Sequence, residues 1–169
     1  WDWEVDVQNP GAFETTGFAR SSDEFGYRGP ANTAFQVIGG TRLLVTCDAG
    51  RHWEIDPSTL EAITPVGYYY EWLWSAPHTL NPTTMTTAHP AYDPDRGILY
   101  YAEMILVSED PTTLEGLNNS DLWIQAWDLE GALERWKVKG VHIKMGVHQM
   151  ACTEDYLIIV DTSFPVEIK

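Results

Sequence analysis

Five histidines, His52, His78, His89, His142 and His148, are the side chains best suited to chemistry in this sequence. Neutral imidazole is the commonest protein ligand for transition metals. A lone histidine is more often structural or solvated, and three of the five fit that reading. His52 alternates within a strand-like run beside Arg51, His78 lies in a long loop, and His142 sits in a polar stretch close to Lys144. His89 and His148 differ. Each immediately precedes an apolar, strand-like run, and they lie 59 residues apart. No His-x-x-x-His motif places two ligands on one helix turn, so a metal here would have to be gathered by the fold.

The elements that would do the gathering read as strands. Residues 35–38 and 42–47 are β-rich runs separated by Gly39-Gly40, a hairpin signal. Residues 52–55 form a short run closed by Asp56-Pro57. A long run over 98–107 follows the turn sequence Asp93-Pro94-Asp95-Arg96-Gly97. Residues 122–127 and 133–138 flank a hairpin turn at 128–132, and 156–161 is nearly all apolar. No 3.6-residue periodicity of helical length is found. Many short strands with regular turns predict an all-β sandwich, barrel or propeller. A loose repeat favours the propeller: Leu43, Leu99 and Leu157 head similar runs at steps of 56 and 58 residues, somewhat longer than the ~40–45 residues of a compact blade. The chain would then hold two blades and the beginning of a third. Equivalent positions in successive blades face one central axis, so His89 and His148 could converge on one metal.

Two segments depart from the pattern. Residues 1–26 have mixed polarity and no clear strand, and are expected to be a connecting arm to a partial propeller over 27–169. Residues 67–87 form a long loop carrying Tyr68, Tyr69, Tyr70, Trp72 and Trp74. Such a loop is either functional or a cap on the end of the barrel.

Composition sets limits on the class. The chain has 169 residues, enough for one domain with a core, and its ends at Trp1 and Lys169 suggest an excerpt of a longer protein. A formal net charge of −15 argues against nucleic-acid binding, which requires a basic stripe. Eight Trp, eight Tyr and five Phe argue against disorder. No run approaches the ~20 apolar residues of a membrane span. Cys47 and Cys152 sit in apolar runs and read as free thiols. That favours a cytoplasmic or peripheral-membrane location over secretion. Asn118-Asn119-Ser120 is a formal glycosylation triplet of little weight.

Three motifs together resemble the carotenoid cleavage oxygenase family. Thr87-Ala88-His89-Pro90, followed by Asp93-Pro94 and Gly97-x-Leu99-Tyr100, looks like its first-ligand segment. His148, with Thr153 five and Tyr156 eight residues on and then Pro165, is similar to its second-ligand segment, His-Asp-Phe-x-x-Thr-x-x-Tyr. Asn32-Thr33, the Leu43-Leu44 strand and Ile55-Asp56-Pro57-x-Thr59-Leu60-Glu61 resemble the preceding blade. The likeness runs from about Tyr27 to Pro165, in order and with natural spacing.

The resemblance implies a seven-bladed β-propeller holding Fe(II) on four histidines. His89 and His148 would be two of them, and the other two would lie beyond Lys169. It also implies a carboxylate that holds a ligand ring from behind. At that position this chain has Asp48, one methylene shorter than the family's glutamate; the alternative reading of Asp48 is a turn residue ahead of Gly50. Two further departures are Gln149-Met150 in place of Asp-Phe, and Cys47 where stilbene-cleaving relatives carry lysine. The second disfavours phenolic stilbenes. The implied activity is dioxygen-dependent cleavage of a carbon–carbon double bond in an apolar polyene, a carotenoid or apocarotenoid, with possible peripheral membrane contact through the aromatic loop. Two rival readings are a retinoid isomerohydrolase or isomerase on the same scaffold, and a metal-free propeller that binds partners.

Overall fold

The computed structural model describes residues 20–22, 26–28, 31–72, 84–106, 120–143 and 146–161. Within them the chain is all-β, with one 3-10 turn, Tyr69–Glu71, and no α-helix. Strands β1 (Arg20–Ser22) and β2 (Gly26–Arg28) pair as a small hairpin. Strands β3 (Ala34–Ile38), β4 (Arg42–Thr46), β5 (Trp53–Ile55) and β6 (Ala62–Pro65) form a four-stranded antiparallel sheet in sequence order. Strands β7 (Ala91–Asp93), β8 (Ile98–Leu106), β9 (Ser120–Trp127) and β10 (Glu134–Ile143) form a second sheet of the same kind. Strands β11 (Val147–Cys152) and β12 (Leu157–Asp161) begin a third. Stacked, up-and-down four-stranded sheets are the blades of a β-propeller. The chain is therefore a partial propeller: two blades and the first two strands of another.

The turns follow from local chemistry. Gly39 and Gly40, with φ of 56° and 77°, close the β3–β4 hairpin in a region that disfavours a Cβ. Aspartate opens three others. Asp56 accepts the Ser58 and Thr59 amides, Asp93 those of Asp95 and Arg96, and Asp128 those of Glu130 and Gly131. These bonds hold all three carboxyl groups below their ordinary pKa, because each favours the ionised form.

The middle blade is buried on both sides. On β8, Leu99 and Tyr101 face the first blade and pack with Ile38, Leu44, Val66 and Trp72. Ala102 and Met104 point the other way, against Val147 and Met150 of β11. Period-two alternation gives each face its own core, so a strand covered on both sides reads as an unbroken apolar run. Arg42 ties the first blade internally, with two bonds of 2.8 and 2.7 Å to Glu54. It also reaches the second blade at Leu129 O, 2.8 Å away, and lies over the Trp127 ring. Arg96 joins the second blade to the third through Glu154 O at 2.7 Å.

The leucine repeat is real in space: Leu43, Leu99 and Leu157 lie on β4, β8 and β12, the second strand of each sheet. The differences from expectation have local causes. β1 falls within residues 1–26, where no clear strand is expected, and pairs with β2 across position 26. β6 ends in Pro65, and β7 has only three residues, too short for a pattern. β11 carries His148 and Gln149, which interrupt its apolar run. β10 runs on to Ile143, past the predicted end at 138 and so through His142. It is an exposed strand with a register shift between Lys137 and His142, which removes the alternation a sequence can show. Cys47 and Cys152 are free thiols. No helix among the described residues is long and apolar enough to cross a membrane.

Candidate functional site

His89 emerges from a buried stretch. Thr84, Thr86, Thr87 and Ala88 are all inside the protein, while the His89 side chain is exposed. Threonine hydroxyls fasten this stretch to both flanking strands. Thr46 Oγ1 donates to Ala88 O. Thr87 Oγ1 accepts the Ala102 amide at 3.0 Å and contacts Ala102 O at 3.3 Å. His148 is the second residue of β11. The two segments meet in a parallel bridge: the His89 N–H donates to His148 O, and the Met150 N–H donates to His89 O, both at 3.0 Å. The bridge sets the two side chains side by side. Their ring centroids are 4.9 Å apart with an interplanar angle of 74°.

Asp48 completes the cluster. The chain leaving β4 turns at Gly50, whose φ is 88°, and the segment 84–86 stitches it in place. The Gly50 amide donates to Thr84 O, and the Thr86 amide to Asp48 O, each at 2.8 Å. Asp48 Oδ1 then lies 2.7 Å from His148 Nδ1, across 100 residues of sequence. A carboxylate is an acceptor, so neutral His148 carries its proton on Nδ1 and leaves the Nε2 lone pair for a metal. The His148 and Asp48 side chains are 40 % and 44 % exposed among the described residues. Among the described residues no group of three or more His, Cys, Asp or Glu side chains is placed to hold a metal. The donor set is thus two imidazoles and a carboxylate behind one of them. Two imidazoles suit a transition metal and cannot close a site for one by themselves.

The other histidines lie elsewhere. His52 is fully buried between the first two blades, edge-on to Trp72 and Tyr101. Burial pushes its pKa down to about 3, so it is neutral at ordinary pH. His142 is on β10, with Nδ1 3.9 Å from Asp121. His78, most of residues 1–26, Trp74, Lys144, Pro165 and the asparagines of the glycosylation triplet lie outside the described residues. Cys47 is buried beside Asp48; its thiol donates to Ala49 O at 2.6 Å and is pushed up in pKa by burial.

The aromatic loop divides in two. Tyr68 and Tyr70 are exposed and stacked, with centroids 5.4 Å apart. Trp72 is buried, stacks on Tyr101 at 5.1 Å and donates from Nε1 to Val66 O at 2.9 Å. Trp72 is therefore core. No motif in the sequence marked the threonine fastenings or the parallel bridge, because neither rests on a residue type peculiar to a site.

A partial propeller that brings two strand-leading histidines together belongs to a definable class of protein. Residues 7–169 match the model of the family described as retinal pigment epithelial membrane protein, and the chain belongs to that family, the carotenoid cleavage oxygenase group its motifs resemble. Among solved structures, a chimera of ACO and RPE65 is 22 % identical with a TM-score of 0.42; the match covers 92 % of this chain and 32 % of that one. A mutant of Synechocystis apocarotenoid oxygenase is 22 % identical with a TM-score of 0.43, over 94 % of this chain and 32 % of that one. The chain thus spans about a third of the length of these proteins. None of the curated proteins matches it.

Proposed function

We propose that this chain is part of a non-haem Fe(II) dioxygenase that cleaves a carbon–carbon double bond of a carotenoid or apocarotenoid. The observation that carries the reading is the His89–His148 pair, rings 4.9 Å apart, with Asp48 on His148 Nδ1, in a chain of this family. His89 and His148 would hold the iron, and two further histidines would come from outside residues 1–169. Residues 1–26 would serve as the connecting arm and 27–169 as propeller.

Iron, when bound, supplies the redox chemistry that lets dioxygen react with an alkene. The chain's own residues do the positioning. Asp48 accepts the Nδ1 proton of His148, fixes its tautomer and turns Nε2 outward. The bridge between His89 and β11 sets the second ring beside it. In the overall reaction the double bond breaks and two carbonyl groups form, each taking one atom of dioxygen. The exposed Tyr68–Tyr70 stack is a candidate apolar contact for a membrane or for the polyene.

The test uses the full-length protein. Iron should copurify, and an apolar polyene cleaved under ¹⁸O-labelled dioxygen should give two labelled carbonyl products. Iron without cleavage, but with isomerised or hydrolysed retinoid ester, would replace the proposal with the isomerohydrolase reading. Full folding with no iron would leave a metal-free binding module.

A further inference from the structure

We infer that Met104 is a positioning residue for the Asp48–His148 pair, acting through its thioether on one side and its backbone on the other. Met104 is on β8, nearly fully buried, on the face turned to β11. Its Sδ accepts the amide of Val147 at 3.0 Å, and Val147, itself buried, directly precedes His148. Its own N–H donates to Met85 O at 3.1 Å. Met85 is in turn bridged to Ala49, and the next residue, Thr86, donates to Asp48 O. One residue therefore touches the segment that carries His148 and, on its other side, the segment that holds the Asp48 backbone.

The need for such a residue follows from the exposure of the pair. Among the described residues both side chains are more than a third accessible, and a single solvent-exposed hydrogen bond holds little geometry by itself. A metal ligand must be placed to within about 0.5 Å, so the backbones have to be fixed from below. Packing alone would be served as well by leucine, which replaces methionine at nearly constant volume. Leucine has no acceptor, however, so the Val147 amide would lose its bond to sulfur. The sulfur is what leucine cannot supply.

The inference rests on the two-histidine reading for its iron measurement only. In the full-length protein, Met104→Leu should speed hydrogen exchange at the Val147 amide and weaken Fe(II) binding by about tenfold, the lower end of what loss of a ligand's supporting contact brings. Ile124→Val, a methyl lost from the same core cluster, should leave both unchanged. Unaltered iron affinity in Met104→Leu, where wild type binds iron through His148, would reduce Met104 to a packing residue. If His148→Ala binds iron as well as wild type, the two-histidine reading itself fails. Val147 exchange then decides alone: faster exchange in Met104→Leu supports the positioning role and unchanged exchange overturns it. Should Met104→Leu not fold, Met104→Ile is read in the same way: faster Val147 exchange supports the inference and unchanged exchange overturns it.

Discussion

At His148 one carboxylate settles which ring nitrogen can meet a metal. Asp48 lies 2.7 Å from Nδ1, although aspartate is a methylene shorter than the family's glutamate. The aspartate reaches the ring directly, from a backbone held by the bonds Thr86 N–H to Asp48 O and Gly50 N–H to Thr84 O. Asp48→Asn keeps an oxygen at this place and loses the charge. In the full-length enzyme it should weaken iron affinity or turnover by ~10–100-fold without abolishing it, as read by metal titration and polyene cleavage. A fully active Asp48→Ala would leave Asp48 a turn residue only. If His148 is an iron ligand, as proposed, its loss should do more: His148→Ala should abolish iron loading, whereas His142→Ala should not. His142 is on β10 and His89 leads into β7, opposite edges of one four-stranded sheet. Three strand spacings of ~4.8 Å put those edges about 14 Å apart. Equal iron content in the two variants would show that the wrong histidine had been chosen. The 59-residue spacing allowed His89 and His148 to be paired, and the resemblance to the family's two ligand segments singled them out. The parallel bridge that achieves it was not, because backbone bonds between segments so distant leave no trace in residue type.

Among the elements, legibility followed burial pattern. β4, β8 and β12 could be read because each is a compact apolar run, and the turns could be read from Gly39-Gly40, Asp93-Pro94 and Asp128. β7 and β11, the strands that bring the histidines together, had no bounds in the sequence beyond a strand-like run after each histidine: one is three residues long, and the other carries polar side chains and takes in His148 itself. The seam between the first two blades holds a feature that sequence could not show. His52 is fully buried against Trp72 and Tyr101, and neither ring nitrogen has a hydrogen-bond partner among the described residues. Its folded pKa of about 3 lies below the ordinary 6.5. The unfolded chain therefore binds the extra proton first as pH falls. The stability from keeping His52 neutral is complete above about pH 6.5 and is lost progressively toward pH 3, by up to about 1.4 kcal/mol per pH unit. Thermal unfolding between pH 4 and 7 should show a shallower pH slope for His52→Phe than for wild type. Parallel slopes would mean that the acid sensitivity lies entirely in carboxylates.

For the whole chain, the decisive quantity is the surface left at the two ends of the blade stack. On the first blade Phe35 and Val37 are 68 % and 54 % exposed, and on the third Ile158 and Val160 are 49 % and 57 % exposed. Each pair alternates with residues that face the neighbouring blade, so these are regular blade faces with no described residue covering them. Apolar faces of this kind drive association, and the outer edge of β12, unpaired among the described residues, can accept another strand. Against this stands a net charge of −15, whose repulsion is screened over ~10 Å at 0.1 M salt. The 169 residues expressed alone should therefore self-associate, more strongly as salt is raised, and Phe35→Lys with Val160→Lys should shift them toward monomer. On the proposed four-histidine site, metal would not offset the exposed faces, since two imidazoles would contribute only part of the binding energy that a complete site adds to folding. The isolated chain should bind iron weakly and turn nothing over. Light scattering at low and high salt, iron content and polyene cleavage measure the three outcomes. A salt-insensitive monomer that holds one equivalent of iron and cleaves a carotenoid would overturn both the shared four-histidine site and the need for further blades.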